Sequence, residues 1–252
     1  MFLSFENLEL RYEPFPIGIA KPAMDEATYK ELVANFPSMD LFDDYAYMGK
    51  PGNKFVLSEK ENPRVYNEFM KSNAIWRKFY EWVKSDAFVY GIMDMLREHH
   101  IDLGYTYISP SRRLTRRLKD LVKGRPSRQL PPLKSRFEFS ALPADGGNLT
   151  PHTDAPTKIV TLIVSMAEEG EWNPAFGGGT DVNRPRDTRY MYNYYNELAS
   201  FEDMEVLHTY PFQPNQVIVF VKTFNSWHSV RPMTGTGSKA MRKTLTINIE
   251  PR

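Results

Sequence analysis

Two hydrophobic periods divide the chain, a helical one in the first half and a period of two in the second. Met24 to Phe36 predicts a helix closed by Pro37, with acidic residues in its first turn and Ala27, Leu32, Val33 and Phe36 on one apolar face. Pro63 is placed to open a second helical stretch reaching about Lys84, along which Val65, Phe69, Ile75, Phe79, Trp82 and Val83 recur, with a break expected near Ser72 and Asn73. Ser85 then caps a third helix whose Phe88, Val89, Ile92, Met95 and Leu96 face a core. A fourth amphipathic pattern, Ser111 to Gly124, sets Leu114, Leu118, Leu121 and Val122 opposite Arg112, Arg116, Lys119 and Lys123, with Ser111 as cap and Gly124 as stop. The plain expectation for it is a solvated helix that packs its leucines on the core.

Beyond it the runs shorten and alternate. Arg136 to Leu142, Lys158 to Met166, Gln216 to Lys222 and Arg242 to Ile249 are rich in Val, Ile, Phe and Thr and are separated by Gly, Pro and Asn clusters. Short strands with long irregular connections predict a mainly β fold with α additions: a jelly roll carrying the N-terminal helices on its outside. No repeat or low-complexity linker interrupts the sequence, so residues 1–252 are expected to form a single domain. Residues 1–134 would be its helical part and residues 135–252 its jelly-roll core.

Composition narrows the chemistry. The 252 residues include no cysteine, which excludes disulfides, thiolate metal sites and a cysteine nucleophile, so a metal would need His, Asp or Glu. No apolar run approaches the roughly 20 residues that cross a bilayer, and the opening lacks a basic leader with a small-residue cleavage site; the expectation is a cytoplasmic protein. The net charge of +1 conceals a basic segment, residues 111–136, with ten Lys or Arg against the single Asp120. Such a segment suits a solvated helix, an anionic substrate or a membrane surface. Without a base-reading motif, nucleic acid is the weaker option.

The sharpest chemical signal is Pro151-His152-Thr153-Asp154. On an extended segment, side chains two apart share a side, so His152 and Asp154 would converge on one ion. His228, in Asn225-Ser226-Trp227-His228-Ser229-Val230, is the best candidate for a second imidazole. Two imidazoles and a carboxylate on one face leave positions open for a bidentate cosubstrate and dioxygen, which suits Fe(II). An isolated His-x-Asp recurs by chance, and the downstream strand adds to it. Arg242-Lys243-Thr244-Leu245-Thr246-Ile247-Asn248-Ile249 places Leu245, Ile247 and Ile249 against a core, with Arg242, Thr244, Thr246 and Asn248 on the other face. An arginine flanked by hydroxyls inside a barrel can hold a carboxylate by a bidentate fork. The plainer alternative is a solvated strand end whose threonines serve β propensity.

These pieces, taken in order, resemble the 2-oxoglutarate and iron(II)-dependent oxygenase superfamily, particularly its prolyl-hydroxylase-like branch. The matching segments are RFEFSALPADGGNLTPHTDAPTKIVTLIVSM, EWNPAFGGGT, PNQVIVFVKTFNSWHSVRPM and MRKTLTINI, covering most of residues 136–249, and the opening PFPIGIAKPAMDEATYKELVANFP is similar as well. The resemblance implies a double-stranded β-helix and Fe(II), with 2-oxoglutarate and dioxygen as cosubstrates and succinate and carbon dioxide as coproducts. It implies that His152, Asp154 and His228 hold the metal and that Arg242 pairs with the distal carboxylate of 2-oxoglutarate. Thr244 stands where some members place a hydroxyl, with Thr246 as the alternative. The connection from His228 to Arg242 is longer than in many relatives, which leaves Arg231 and Lys243 as lesser candidates for the carboxylate partner. The flanking tyrosines of prolyl hydroxylases are not evident, so the proximal wall of the cosubstrate pocket has no assigned residue. With a carboxylate ligand at Asp154, the implied outcome is hydroxylation of a C–H bond.

Other candidates are blander. His99 and His100 end a predicted helix, where the dipole favours a cation, and His208 suits a surface or hydrogen-bonded role. Gly177-Gly178-Gly179 lacks the Lys-Ser/Thr of a phosphate loop and reads as a tight reversal. Tyr190, Tyr192, Tyr194 and Tyr195 form either a rim over the cavity or an ordinary loop. Two other function classes fit the residues less fully: a cupin-like metal enzyme of different chemistry, and a non-catalytic jelly-roll binding module using the basic helix.

Overall fold

The computed structural model describes residues 2–44, 54–126 and 129–252. Residues 127 and 128 of the basic segment, and the corresponding stretches of the single-domain expectation, lie outside the described residues.

The N-terminal part holds strands β1 (Glu9–Arg11) and β2 (Ile17–Ala20), helix α1 (Glu26–Ala34) and strands β3 (Asp43–Asp44) and β4 (Phe55–Ser58). Helices α2 (Pro63–Ser72), α3 (Ala74–Val83), α4 (Asp86–Glu98) and α5 (Pro110–Val122) follow. The start signals act as the side chains suggest. Asp25 accepts from the Thr28 N–H to open α1, Pro63 occupies the first turn of α2, and Asn73 both ends α2 and caps α3. Ser85 caps α4 by accepting from the Phe88 N–H. In α5 the boundary differs: Ser109 is the cap residue and Pro110 takes the first turn, because a fixed proline φ nucleates the helix one residue before Ser111.

The second half supplies β5 (Leu133–Pro143), β6 (Leu149–His152), β7 (Val160–Ser165), β8 (Thr180–Pro185), β9 (Met204–Tyr210), β10 (Val217–Val221), β11 (His228–Val230) and β12 (Met241–Pro251). Among the described residues one sheet runs β1-β2-β10-β7-β12-β5-β4-β3, and the other runs β6-β11-β8-β9. From β5 to β12 the chain passes back and forth between the two sheets, and every neighbouring pair is antiparallel. This is a double-stranded β-helix, or jelly roll, with β1 to β4 widening the larger sheet.

Alternation along β12 decides what goes where. Leu245, Ile247 and Ile249 are fully buried against Phe137, Phe139, Leu162 and Val164, in a core they share with Leu32, Trp76, Phe79 and Leu96 of the helices. The helices thus cover the outer face of the larger sheet. The opposite face, carrying Arg242, Thr244, Thr246 and Asn248, turns toward the smaller sheet and lines the interior.

Helix α5 departs from expectation. None of its residues is buried, and Leu114, Leu118, Leu121 and Val122 are 60, 54, 75 and 87% exposed. Its leucines do not pack on the core. Its polar side is largely exposed as well: Arg113 and Asp120 are half-buried and Arg113 donates to the carbonyl of Leu130, while Arg116, Lys119 and Lys123 are exposed along a groove of about 600 Å³ beside Arg125 and Pro126.

Candidate metal centre

His152 closes β6 and His228 opens β11, and the two are direct register partners. Cross-strand pairing sets their rings 4.2 Å apart, centroid to centroid. Each imidazole is oriented by the backbone two residues upstream: His152 Nδ1 lies 2.9 Å from the Thr150 carbonyl, and His228 Nδ1 lies 2.9 Å from that of Ser226. A carbonyl can only accept, so each Nδ1 carries the proton and each Nε2 keeps a lone pair for an ion. Burial, reinforced by the His152 imidazole nearby, lowers the pKa of His228 to about 3. It is a neutral ligand at any physiological pH.

Asp154 completes the group, and its route differs from the extended one expected. β6 ends at His152, and Asp154 adopts φ +72°, a left-handed conformation that aspartate tolerates better than most residues. The bend, not strand alternation, brings its carboxylate to the imidazoles. One ligand atom from each of His152, Asp154 and His228 lies within 4.8 Å of the other two. Asp154 Oδ1 is 2.6 Å from Lys158 Nζ, and Oδ2 accepts from Thr161 Oγ1 at 2.9 Å, itself 3.2 Å from Asn248 Oδ1. Burial alone would raise the Asp154 carboxyl, but the Lys158 ammonium holds it well below the usual carboxylate range.

The cluster opens onto a cavity of about 430 Å³ whose lining includes Lys54, Arg136, Glu138, Lys158, Ile163 and Thr246. It adjoins an inner recess of about 50 Å³, walled by Ser140, Leu142, Thr180, Val230, Arg242 and Thr244. Thr246 and His228 line both, so the recess joins the cavity beside His228. The groove beside α5 is larger but has no convergent set of metal ligands, and no α5 side chain lines the metal cavity. Of the basic segment, Arg136 on β5 does.

Arg242 is 5% exposed, and no carboxylate pairs with it among the described residues. Its Nε donates to the Gly178 carbonyl, Nη2 lies 3.4 Å from Thr180 Oγ1, and the guanidinium carbon sits 4.9 Å from the Phe212 ring centre. Burial lowers its pKa to about 10, which still leaves a full positive charge at neutrality. Beside it Thr244 Oγ1 is 2.9 Å from Ser140 Oγ. A buried cation is stable only with compensating charge, and the hydroxyls around it can donate to an anion as well. The two lesser candidates are occupied elsewhere: Arg231 is bound to Asp181 at 2.8 Å and Lys243 to Glu171.

The donor set suits iron(II). Two neutral imidazoles and one ionised carboxylate are borderline and hard ligands in the two-to-one ratio of facial-triad iron sites, and thiolates are absent from the chain. The recess suits one carboxylate of a dicarboxylate, since its lining combines Arg242 with the hydroxyl-bearing Ser140, Thr180, Ser229, Thr244 and Thr246.

Local spacing points to His152, Asp154, His228 and Arg242 as candidates but not to the side chains around them. In sequence Lys158 is only the start of a strand, Thr161 lies inside it, and Asn248 follows the alternation of β12; none of these patterns points to Asp154. Gly177-Gly178-Gly179 turns out to supply the carbonyl that orients Arg242. His208 stacks edge-on against Tyr210, His99 caps α4, and neither lines the cavity. Tyr190, Tyr192, Tyr194 and Tyr195 are exposed, whereas their neighbours Asn196 and Leu198 line the cavity.

Neither a family model nor a curated protein sequence matches the chain. Solved structures similar to it include a prolyl-4-hydroxylase from Pseudomonas putida, at 13% identity over 94% of this chain and 92% of that one, with a TM-score of 0.47. A prolyl hydroxylase from Trichoplax adhaerens, in complex with a hypoxia inducible factor peptide fragment, is 12% identical over 93% of this chain and 83% of its own, also with a TM-score of 0.47. HygX from Streptomyces hygroscopicus, with nickel, 2-oxoglutarate and hygromycin B bound, is 10% identical over 98% of this chain and 84% of its own, with a TM-score of 0.46.

Proposed function

We propose that this chain is an iron(II)- and 2-oxoglutarate-dependent oxygenase that hydroxylates a C–H bond of its substrate. The observation that carries the reading is a buried arginine, with no carboxylate partner among the described residues, lining the same recess as His228 of the buried His-Asp-His cluster. A metal enzyme of unrelated chemistry does not call for such a cation, and a non-catalytic module does not call for the two together.

In this reading His152 Nε2, Asp154 and His228 Nε2 hold the iron, and Arg242, with Thr244 or Thr246, holds the far carboxylate of 2-oxoglutarate. When bound, the pair supplies the oxidising chemistry, in which dioxygen and 2-oxoglutarate give succinate, carbon dioxide and one oxygen atom for the substrate. The chain's own residues bind, orient and exclude water. The carbonyls of Thr150 and Ser226 fix both imidazole tautomers, Thr161 and Lys158 hold the carboxylate, and Leu142, Leu149, Ile163 and Val230 supply the apolar part of the recess wall. Apolar walls strengthen the Arg242–carboxylate attraction by excluding water.

Anaerobic titration of the purified protein with Fe(II) and 2-oxoglutarate tests this. A visible metal-to-ligand charge-transfer band that needs both additions is expected. Its absence, with Fe(II) shown to bind, would leave a metal protein of other chemistry.

A further inference from the structure

We propose that α5 is a peripheral membrane-docking helix that lays its leucine stripe into the surface of an anionic bilayer. At about 100° per residue, Leu114, Leu118, Leu121 and Val122 fall within one arc of roughly 100°. That arc faces solvent, and no described residue covers it. A surface helix of a soluble domain turns its apolar side inward, whereas the half-buried side chains of α5 are the polar Arg113 and Asp120, and Arg113 donates to the carbonyl of Leu130. Exposed leucines at helical spacing need an apolar partner.

Charge identifies that partner. Arg112, Arg116, Arg117, Lys119 and Lys123 make no ion pair with any carboxylate among the described residues, although the chain as a whole is nearly neutral. Arg117 borders the stripe on one side and Thr115 on the other, with Lys119 and Arg112 beyond Thr115. The long stems of these cations can lie along the acyl boundary while the cationic heads reach phosphate and carboxylate groups. A second copy of the chain would bring like charges together across the stripe. A folded protein partner needs roughly 800 Å² of matching surface per side, more than four side chains on a convex helix provide. Nucleic acid would meet the cations but leave the leucines in water. A bilayer conforms to a single convex helix. At 13 residues, α5 is about 20 Å long and lies in the interface, and no helix among the described residues is long and apolar enough to cross it. The proposal stands independently of the oxygenase reading.

Flotation of the full-length protein with vesicles of two parts phosphatidylcholine to one part phosphatidylserine tests it, with pure phosphatidylcholine vesicles in parallel. Association with the anionic vesicles only is expected. Leu114→Ser/Leu118→Ser/Leu121→Ser should weaken it by more than about tenfold, and so should Arg112→Gln/Arg116→Gln/Arg117→Gln. All six side chains are half or fully exposed, so circular dichroism and Tm should match the parent. Because the chain has no cysteine, Leu121→Cys gives one labelling site, and a polarity-sensitive fluorophore there should shift to the blue on anionic vesicles. Three results would overturn the proposal: no association with either vesicle, full association of the triple Ser variant, or an unshifted fluorophore. Binding to RNA without vesicle binding would assign the face to nucleic acid, and a dimer dispersed by the Ser changes would assign it to self-association.

Discussion

His152 and His228 stand directly opposite each other across β6 and β11, with the Nδ1 of each committed to the backbone two residues before it. The arrangement leaves two Nε2 lone pairs on one side of a strand pair, and Asp154 bends in beside them. His152→Ala, Asp154→Ala or His228→Ala should therefore remove a metal ligand without opening the main core, which lies on the far side of the larger sheet. The expected outcome is loss of stoichiometric iron and of succinate formation with circular dichroism unchanged. Full succinate production in all three variants would sink the ligand assignment.

Arg242→Ala should weaken 2-oxoglutarate binding by about 3 to 5 kcal/mol, the cost of burying a carboxylate without its partner. Iron binding should survive, because the triad lies on β6, on β11 and in the bend after β6. Arg231→Ala and Lys243→Ala should leave cosubstrate affinity near the parent level, since Asp181 and Glu171 already occupy those cations. Calorimetry with 2-oxoglutarate on the three variants reads the difference, and an effect confined to Arg231 or Lys243 would reassign the site.

How much of this was readable beforehand follows from the range of each signal. The His-x-Asp is local, and the alternation of β12 assigns Arg242 and Leu245 to opposite faces by a rule that needs no tertiary knowledge. The left-handed turn at Asp154 was not legible, because two residues of spacing fit a strand and a bend equally well. Thr161 reaches Asp154 from another strand, and Gly178 reaches Arg242 from a loop 64 residues away, contacts that only the closed jelly roll creates. The stripe on α5 was legible as a period, but a period does not say which side of a helix meets the body. Nothing in residues 111–124 alone distinguishes leucines turned in from leucines turned out.

Thr161→Val should lower iron affinity by roughly 10- to 100-fold, the usual cost of removing a hydrogen bond to a ligating carboxylate. Valine keeps the shape and the strand propensity, so stability should change little. Competition for Fe(II) or Co(II) against a calibrated chelator measures the affinity, and an unchanged value would show that Lys158 alone positions Asp154.

Metal-free protein should lose stability on acidification in two stages. His228 has a folded pKa of about 3 against an ordinary 6.5, so between these values the unfolded chain takes up a proton that the folded chain refuses. Stability then falls with pH, by at most about 1.4 kcal/mol per unit for that one group. Asp154, held well below 3.8, adds a second loss of the same sign only below that value, as the unfolded carboxyl protonates first. Urea unfolding in excess chelator between pH 7.5 and 4 checks the first stage. His228→Gln should flatten the slope, and an equal slope in parent and variant would exclude the imidazole as its source.

Gly178 is the most specific test of how the recess is built. Its φ is +81°, and a Cβ there would meet Trp172 and Met233 at 3.0 Å and Arg242 Cδ at 3.2 Å. Gly178→Ala should thus act twice, through backbone strain of about 1 to 3 kcal/mol and through displacement of the arginine stem. Gly170 separates the two effects, because its φ is +79° and a Cβ there would meet nothing within 4 Å. Gly170→Ala should lower Tm and leave 2-oxoglutarate binding intact. Gly178→Ala should lower Tm by at least as much and also weaken 2-oxoglutarate binding, with iron affinity held at the parent value. If both variants bind 2-oxoglutarate like the parent, the Gly178 carbonyl does not set the position of Arg242, and its orientation must come from Thr180 and Phe212 instead.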